Sequence, residues 1–196
     1  MSTPPTLPAQ RTRQWPFVSN MEKYFSHPDI FECKVIPAND IPFEQSVADA
    51  CKSNQCGKYG TCWTCPPGAG QFQELEKKIK TYETAVVFTC KYDLEDPFDF
   101  EGMIDGQQKT MQVLRDIMDA LQADGKKFLA LGCEGCNLCK KCTYPDAPCR
   151  YPEKAVVSVE ACGIHVVNLS KNIGIKYNNG ANTVTYFCVV LFSEAV

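Results

Sequence analysis

Residues 133–152 read CEGCNLCKKCTYPDAPCRYP and hold five of the thirteen cysteines in the chain. The first four follow one another at steps of three residues, and the fifth lies seven residues further on. Successive C-x2-C steps wrap a short loop around a single object, which is how thiolates hold an iron–sulfur cubane. The last four also keep the order of a bacterial ferredoxin loop, with a longer final gap. We therefore predict a [4Fe–4S] cluster bound by Cys136, Cys139, Cys142 and Cys149.

Cys133 is a surplus thiol in this pattern. It lies three residues before Cys136, so we expect it to reach the same centre and count it among the metal-binding candidates. A cubane normally takes four thiolates, so one of the five is not a permanent ligand. Cys133 could exchange into the cluster, act as a redox-active nucleophile or pack as an inert apolar residue, and we favour the inert role.

Zinc and disulfides are the two alternatives for this loop. A structural zinc site also uses four cysteines, but its usual plan is two C-x2-C pairs separated by a dozen or more residues. Five cysteines this close together would exceed what one zinc ion needs. Neighbours three residues apart cannot all form disulfides without severe strain. Iron–sulfur binding is favoured, and zinc remains the alternative cofactor.

A second cysteine-rich segment, CKSNQCGKYGTCWTCPPG, spans residues 51–68. Its glycines and prolines forbid a long regular element, so a bound metal would supply the order that the loop otherwise lacks. We predict that at least three of its cysteines bind metal, with Trp63 and Tyr59 shielding the centre from water. The alternative is that Cys62 or Cys51 is a small buried apolar residue. The candidate cofactor-binding residues here are Cys51, Cys56, Cys62 and Cys65.

Composition restricts the class of protein. The formal net charge of −3 and the pI near 5.5 argue against a nucleic-acid surface, which would carry a basic face. No run of eighteen apolar residues exists, and the N-terminus shows no export signal, so we expect neither a membrane span nor secretion. An odd number of cysteines also argues against a secreted disulfide scaffold. A soluble protein of the reducing cytoplasm is predicted.

Lysines cluster at residues 77–80 and again around residues 126–127 and 140–141. Short clusters of one sign are usually solvated surface, and that is the favoured interpretation. The alternative is a docking patch for an acidic redox partner.

The remaining sequence predicts strands and helices in alternation. We expect an α/β fold, with α+β as the alternative, in which helices flank a mixed β-sheet that carries the two cysteine loops. Residues 175–177 and 183–192 are predicted to form a C-terminal β-hairpin. Residues 1–14 are predicted to be a disordered arm, and residues 15–196 a single iron–sulfur-binding domain. The other predicted strands are 32–38, 85–92 and 127–132, and the predicted helices are 43–52, 71–82, 99–123 and 164–172.

Three segments together resemble a known family. They are CGKYGTCWTCPP, CNLCKKCTYPDAPCRYPEKAVVSVEACGIHV and the C-terminal TVTYFCVVLF. In this order they resemble the domain-of-unknown-function family DUF2284 of predicted metal-binding proteins, over most of residues 33–192. The resemblance implies metal binding, iron–sulfur in particular, without fixing an activity. The ligands it implies are Cys56, Cys65, Cys136, Cys139, Cys142 and Cys149.

No other catalytic signature competes with the cysteines. The sequence lacks a phosphate-binding G-x4-G-K-[ST] loop, a dinucleotide fingerprint and a G-x-S-x-G elbow. Its two histidines are His27 and His165, and a ligand or proton-donor role for His165 is the less favoured interpretation. The predicted function is electron transfer through one or two [4Fe–4S] clusters, or a cluster-dependent reductase, with a redox protein or a small molecule as partner. The alternative is a zinc-stabilised interaction module without redox chemistry.

Overall fold

The computed structural model describes residues 21–193 of the chain, which has 196 residues. A mixed five-stranded sheet in this part of the chain confirms the predicted α/β class. The strands are β1 Ile30–Pro37, β2 Thr84–Asp93, β3 Phe128–Gly132, β4 Val157–Ser158 and β5 Thr183–Phe192. The helices are α1 Gln45–Lys52, α2 Phe72–Ile79, α3 Phe100–Ala123 and α4 Val166–Ile173. The predicted arm at residues 1–14 lies outside the described residues.

Helix α3 shows how local signals set the boundaries. The side chain of Asp99 accepts a hydrogen bond of 2.8 Å from the backbone N–H of Gly102, which caps the first turn. Gly125, just beyond the C-terminal end, has a φ of +66°, a conformation that glycine adopts without strain. The predicted helix at 99–123 is confirmed. No helix within residues 21–193 has both the length and the apolar character needed to cross a membrane.

The strands follow the order β1-β2-β5-β3-β4 across the sheet. All neighbours are antiparallel except β3 and β4, which are parallel. β5 is therefore an inner strand, and it pairs with β2 along all ten residues. The predicted hairpin is wrong, because residues 175–177 form no strand. The apolar sequence of β5 is buried on both faces and needs a neighbour on each side, which a three-residue arm cannot provide.

Side chains alternate between two core layers, as the twofold period of a strand requires. On β2, Val86 and Phe88 face the layer beneath α3, whereas Ala85 and Val87 face the layer that α2 and α4 cover. Leu114 of α3 is fully buried in the first layer. Because helices cover both faces of the sheet, the edge formed by β3 and β4 has a fixed position. The second cysteine loop leaves the sheet from this edge and returns to it.

Both cysteine segments lie at this edge. The loop of residues 133–152 directly follows β3, and the chain then enters β4. The first segment begins at Cys51 in the last turn of α1, and the Cys51 thiol lies 3.8 Å from the carbonyl oxygen of Glu160, just after β4. Loops that are far apart in the sequence are thus brought to one place.

Candidate metal centre

The two cysteine loops pack directly against each other. The backbone N–H of Cys136 donates to the Oγ1 of Thr64 at 2.9 Å, and Thr64 is 2% exposed. The indole N–H of Trp63 donates to the carbonyl of Ala147 at 3.0 Å, and its ring meets Tyr144 edge-on with centroids 4.9 Å apart. These contacts make one structural unit of loops that are separated by the whole of α2, β2, α3 and β3.

The first cavity has a volume of about 340 Å³. Four thiols line it, three from the first loop and one from the end of β3: Cys51, Cys56, Cys65 and Cys133. Its wall also contains the polar side chains of Lys58, Tyr59, Gln107, Glu134, Ser158 and Glu160.

The second cavity has a volume of about 230 Å³. Four of its thiols come from the second loop and one from the first: Cys136, Cys139, Cys142, Cys149 and Cys62. Lys58 lines both cavities, which are therefore neighbours. All nine predicted cysteines thus line one or other cavity.

The distribution of the thiols corrects two expectations from the sequence. Cys133 was expected at the centre formed by Cys136 and the cysteines after it, but it lines the other cavity. The reason is that Cys133 directly follows Gly132, the last residue of β3, and packs against the buried core near Cys188. Conversely, Cys62 was grouped with the first loop and lines the second cavity.

The two cavities adjoin each other at residues 62–65, because Cys62 lines the second cavity and Cys65 lines the first. A hydrogen bond between these two thiols lowers the pKa of Cys62 to about 5 and raises that of Cys65. Gly135 lies against the same place, and a Cβ there would come within 2.9 Å of the Cys65 sulfur and 3.2 Å of the Lys58 side chain. Only a glycine lets the second loop approach this closely.

Four further cysteines are buried in the sheet and its covering layers: Cys33, Cys90, Cys162 and Cys188. Burial raises the pKa of Cys90 and of Cys162 to about 12, and it also raises the pKa of Cys188 well above its usual value. All four thiols are absent from the walls of the two cavities.

Sequence reasoning missed a polar chain that positions the start of the second loop. Arg115 of α3 donates to the side-chain oxygen of Asn137 at 2.8 Å, and Asn137 donates to the carboxylate of Glu134 at 2.7 Å. Burial raises the pKa of the carboxyls of Glu134 and Glu160. The signal available in the sequence was the place of Glu134 between two cysteines.

His165 has a structural role in this fold. Its Nδ1 accepts a hydrogen bond of 3.1 Å from the backbone N–H of Asn168 and so caps α4. It is absent from the walls of both cavities. The capping hydrogen bond is sufficient to explain the histidine at this position, and no metal ligation by it is needed.

Within residues 21–193, no three His, Cys, Asp or Glu side chains are close enough to share one metal ion. The thiols instead surround two larger spaces, each several times the roughly 30 Å³ that a water molecule occupies in the liquid. Thiolate is the protein ligand that zinc and iron–sulfur clusters have in common, so the donor set is chemically suited to either class.

The family model of predicted metal-binding proteins (DUF2284) matches residues 34–192. The chain belongs to the DUF2284 family. The resemblance found in the sequence is thereby confirmed, and so is membership of a predicted metal-binding class. All nine cavity cysteines of this DUF2284 chain lie within the matched range. No curated protein and no solved structure matches this chain.

Proposed function

We propose that this chain is an electron-transfer protein that holds two [4Fe–4S] clusters, one in each cavity. The observation that carries the proposal is the division of nine thiols into two neighbouring cavities with at least four in each. A cubane takes one thiolate per iron, so each cavity offers a complete set of ligands. A bound cluster supplies one-electron redox chemistry. The proposed ligands are Cys51, Cys56, Cys65 and Cys133 in the first cavity and Cys136, Cys139, Cys142 and Cys149 in the second.

The volumes of the cavities support clusters rather than single ions. A zinc ion draws its sulfur ligands to about 2.3 Å, which leaves no space among them. Spaces of about 230 and 340 Å³, each with at least four thiols in its wall, can accommodate a larger inorganic core. Cys62, which is 4% exposed and lies 3.5 Å from the Thr64 hydroxyl, is then the surplus thiol of the second cavity.

The protein residues around the thiols would set the redox properties. Burial and hydrogen bonds to sulfur are the means by which a protein adjusts the potential of a cluster. The hydrogen bonds of Thr64 and Trp63 hold the two cysteine loops together beside the second cavity. Lys58, which lines both cavities, places a positive charge between two centres that would each be anionic.

A cluster-dependent reductase is the second candidate, because the first cavity carries groups that suit proton donation. Glu134 and Glu160 both line it, and burial raises the pKa of both carboxyls. These carboxyls would donate the protons that reduction of a small molecule in this cavity requires. If this candidate is right, Glu160→Gln slows the reoxidation of the reduced protein by that molecule while its iron content is unchanged.

Anaerobic purification followed by iron, sulfide and zinc analysis tests the proposal. We expect a brown protein that absorbs near 400 nm, with about eight iron and eight sulfide per chain. Cys188→Ala, which removes a buried thiol outside both cavities, should keep this content. About four iron would reduce the protein to one cluster, and a colourless protein with bound zinc would overturn the proposal in favour of an interaction module.

A further inference from the structure

The mouth of the second cavity is lined by exposed cations. Lys140, Lys141 and Arg150, named here the basic rim, all line this cavity and are exposed to solvent. The guanidinium of Arg150 donates a hydrogen bond of 3.0 Å to the carbonyl of Lys141, which fixes the two residues relative to each other. The rim is thus a defined surface at the edge of the proposed redox site.

The charges of the rim are not compensated by ion pairs within the part of the chain that the structure describes. None of the three side chains forms an ion pair in the part of the chain between residues 21 and 193, although five other lysines do. The chain as a whole carries a net charge of −3, so a positive patch here departs from the overall composition. Lys126 and Lys127, which belong to the same cluster in the sequence, line a different groove. Of these four clustered lysines, the fold therefore places only Lys140 and Lys141 beside the thiols of the second cavity.

An aromatic residue completes this surface. Tyr151 also lines the second cavity and is 45% exposed. Tyrosine and arginine are enriched in protein–protein interfaces and among the residues that contribute most to binding. An exposed tyrosine next to Arg150 is the composition expected of a contact surface.

We propose that the basic rim and Tyr151 form the docking site for a small acidic electron-carrier protein. Opposite charge on the two partners accelerates their encounter and orients it, so that the redox site of the carrier faces the second cavity. Tyr151 would supply the desolvated contact that holds the complex. This inference rests on the proposed function, because the cavity must contain a redox centre for such docking to serve electron transfer.

The test measures binding of an acidic plant-type ferredoxin by titration calorimetry at low and high salt. The double variant Lys140→Glu/Lys141→Glu should weaken binding at least about tenfold at low salt and flatten the salt dependence. The matched control Lys77→Glu/Lys78→Glu changes the net charge equally on exposed residues of α2, outside both cavities, and should stay within about twofold. Equal effects of the two double variants would overturn the proposal.

Tyr151→Ala separates contact from charge. It should weaken binding at both salt concentrations, whereas Tyr177→Ala, at a tyrosine that is 51% exposed and outside both cavities, should not. Equal binding of a basic carrier such as cytochrome c would overturn the charge argument. Iron content is measured on the same preparations. A colourless zinc protein would overturn both the proposed function and this inference, whereas an iron protein that does not bind the carrier would overturn the inference alone.

Discussion

The Oγ1 of Thr64 accepts a hydrogen bond of 2.9 Å from the backbone N–H of Cys136, a residue 72 positions away in the sequence, and so joins the two cysteine loops. The same oxygen lies 3.5 Å from the sulfur of Cys62. A single buried hydroxyl therefore contacts one cysteine from each loop on the wall of the second cavity.

Thr64→Val is expected to lower the free energy of unfolding by about 1–3 kcal/mol, because it leaves the partly buried backbone N–H of Cys136 without an acceptor. Valine keeps the shape of threonine, so packing is preserved. Thr64→Ser, which retains the hydroxyl, should lose less. Denaturant titration of the metal-loaded protein under anaerobic conditions measures both variants, and equal loss in the two would contradict the role of the hydrogen bond.

Cys133→Ser and Cys62→Ser should differ in iron content. The first variant removes one of four thiols in its cavity, so iron should fall from about eight to about four per chain. The second removes the surplus thiol from a cavity that keeps four others, so iron should stay near eight. Iron analysis and electron paramagnetic resonance of the reduced proteins distinguish the outcomes, and the reverse pattern would show that the ligands are wrongly assigned.

Glu160 should make stability fall as the pH rises. Burial raises the pKa of its carboxyl in the folded protein above the value of about 4.3 for an unfolded chain. The folded state then binds the proton more tightly, and this stabilisation is complete below about pH 4.3 and is lost as the pH rises through the folded pKa. Denaturant titrations between pH 5 and 8 should show a shallower decline for Glu160→Gln. A matched change at the exposed Glu153 serves as control, and identical slopes in all three proteins would exclude this contribution.

Trp63→Phe tests the second contact between the loops. The variant loses the hydrogen bond of 3.0 Å to the carbonyl of Ala147 but keeps an aromatic ring beside Tyr144. We expect about 1 kcal/mol of destabilisation and faster loss of metal to a chelator, because the two cysteine loops are then held together by one hydrogen bond fewer. Chelator kinetics followed by absorbance provide the measurement, and an unchanged rate would mean that the contact does not retain the metal.

Local signals in the sequence were sufficient for the elements. The cap at Asp99 and the glycine at 125 mark the ends of α3, and the apolar runs of β2 and β5 predict buried strands. The partner of β5 was not predictable in this way. Its pairing with β2 and β3 depends on which faces other elements cover, and that information is not local.

The same limit applies to the thiols. Spacing along the chain assigns Cys133 to the loop that follows it, because three residues is the usual step between ligands of one centre. In the structure, the end of β3 holds Cys133 at the sheet, where it lines the first cavity, whereas Cys136 lines the second. Which cysteines bind metal can be proposed from the sequence, but how they divide between two cavities depends on the packing of two distant loops.

The inner position of β5 has a consequence for biosynthesis. β5 is the last strand of the sheet to be synthesised. One edge of β2 and one edge of β3 therefore remain unpaired until β5 emerges from the ribosome. Both cysteine loops have by then left the ribosome, while the edge that positions them is still incomplete. Thiols in such a nascent chain are accessible to oxidants and to wrong partners, and unpaired strand edges invite aggregation. Residues 51–152 therefore reach their final positions only after the last strand has been inserted between β2 and β3.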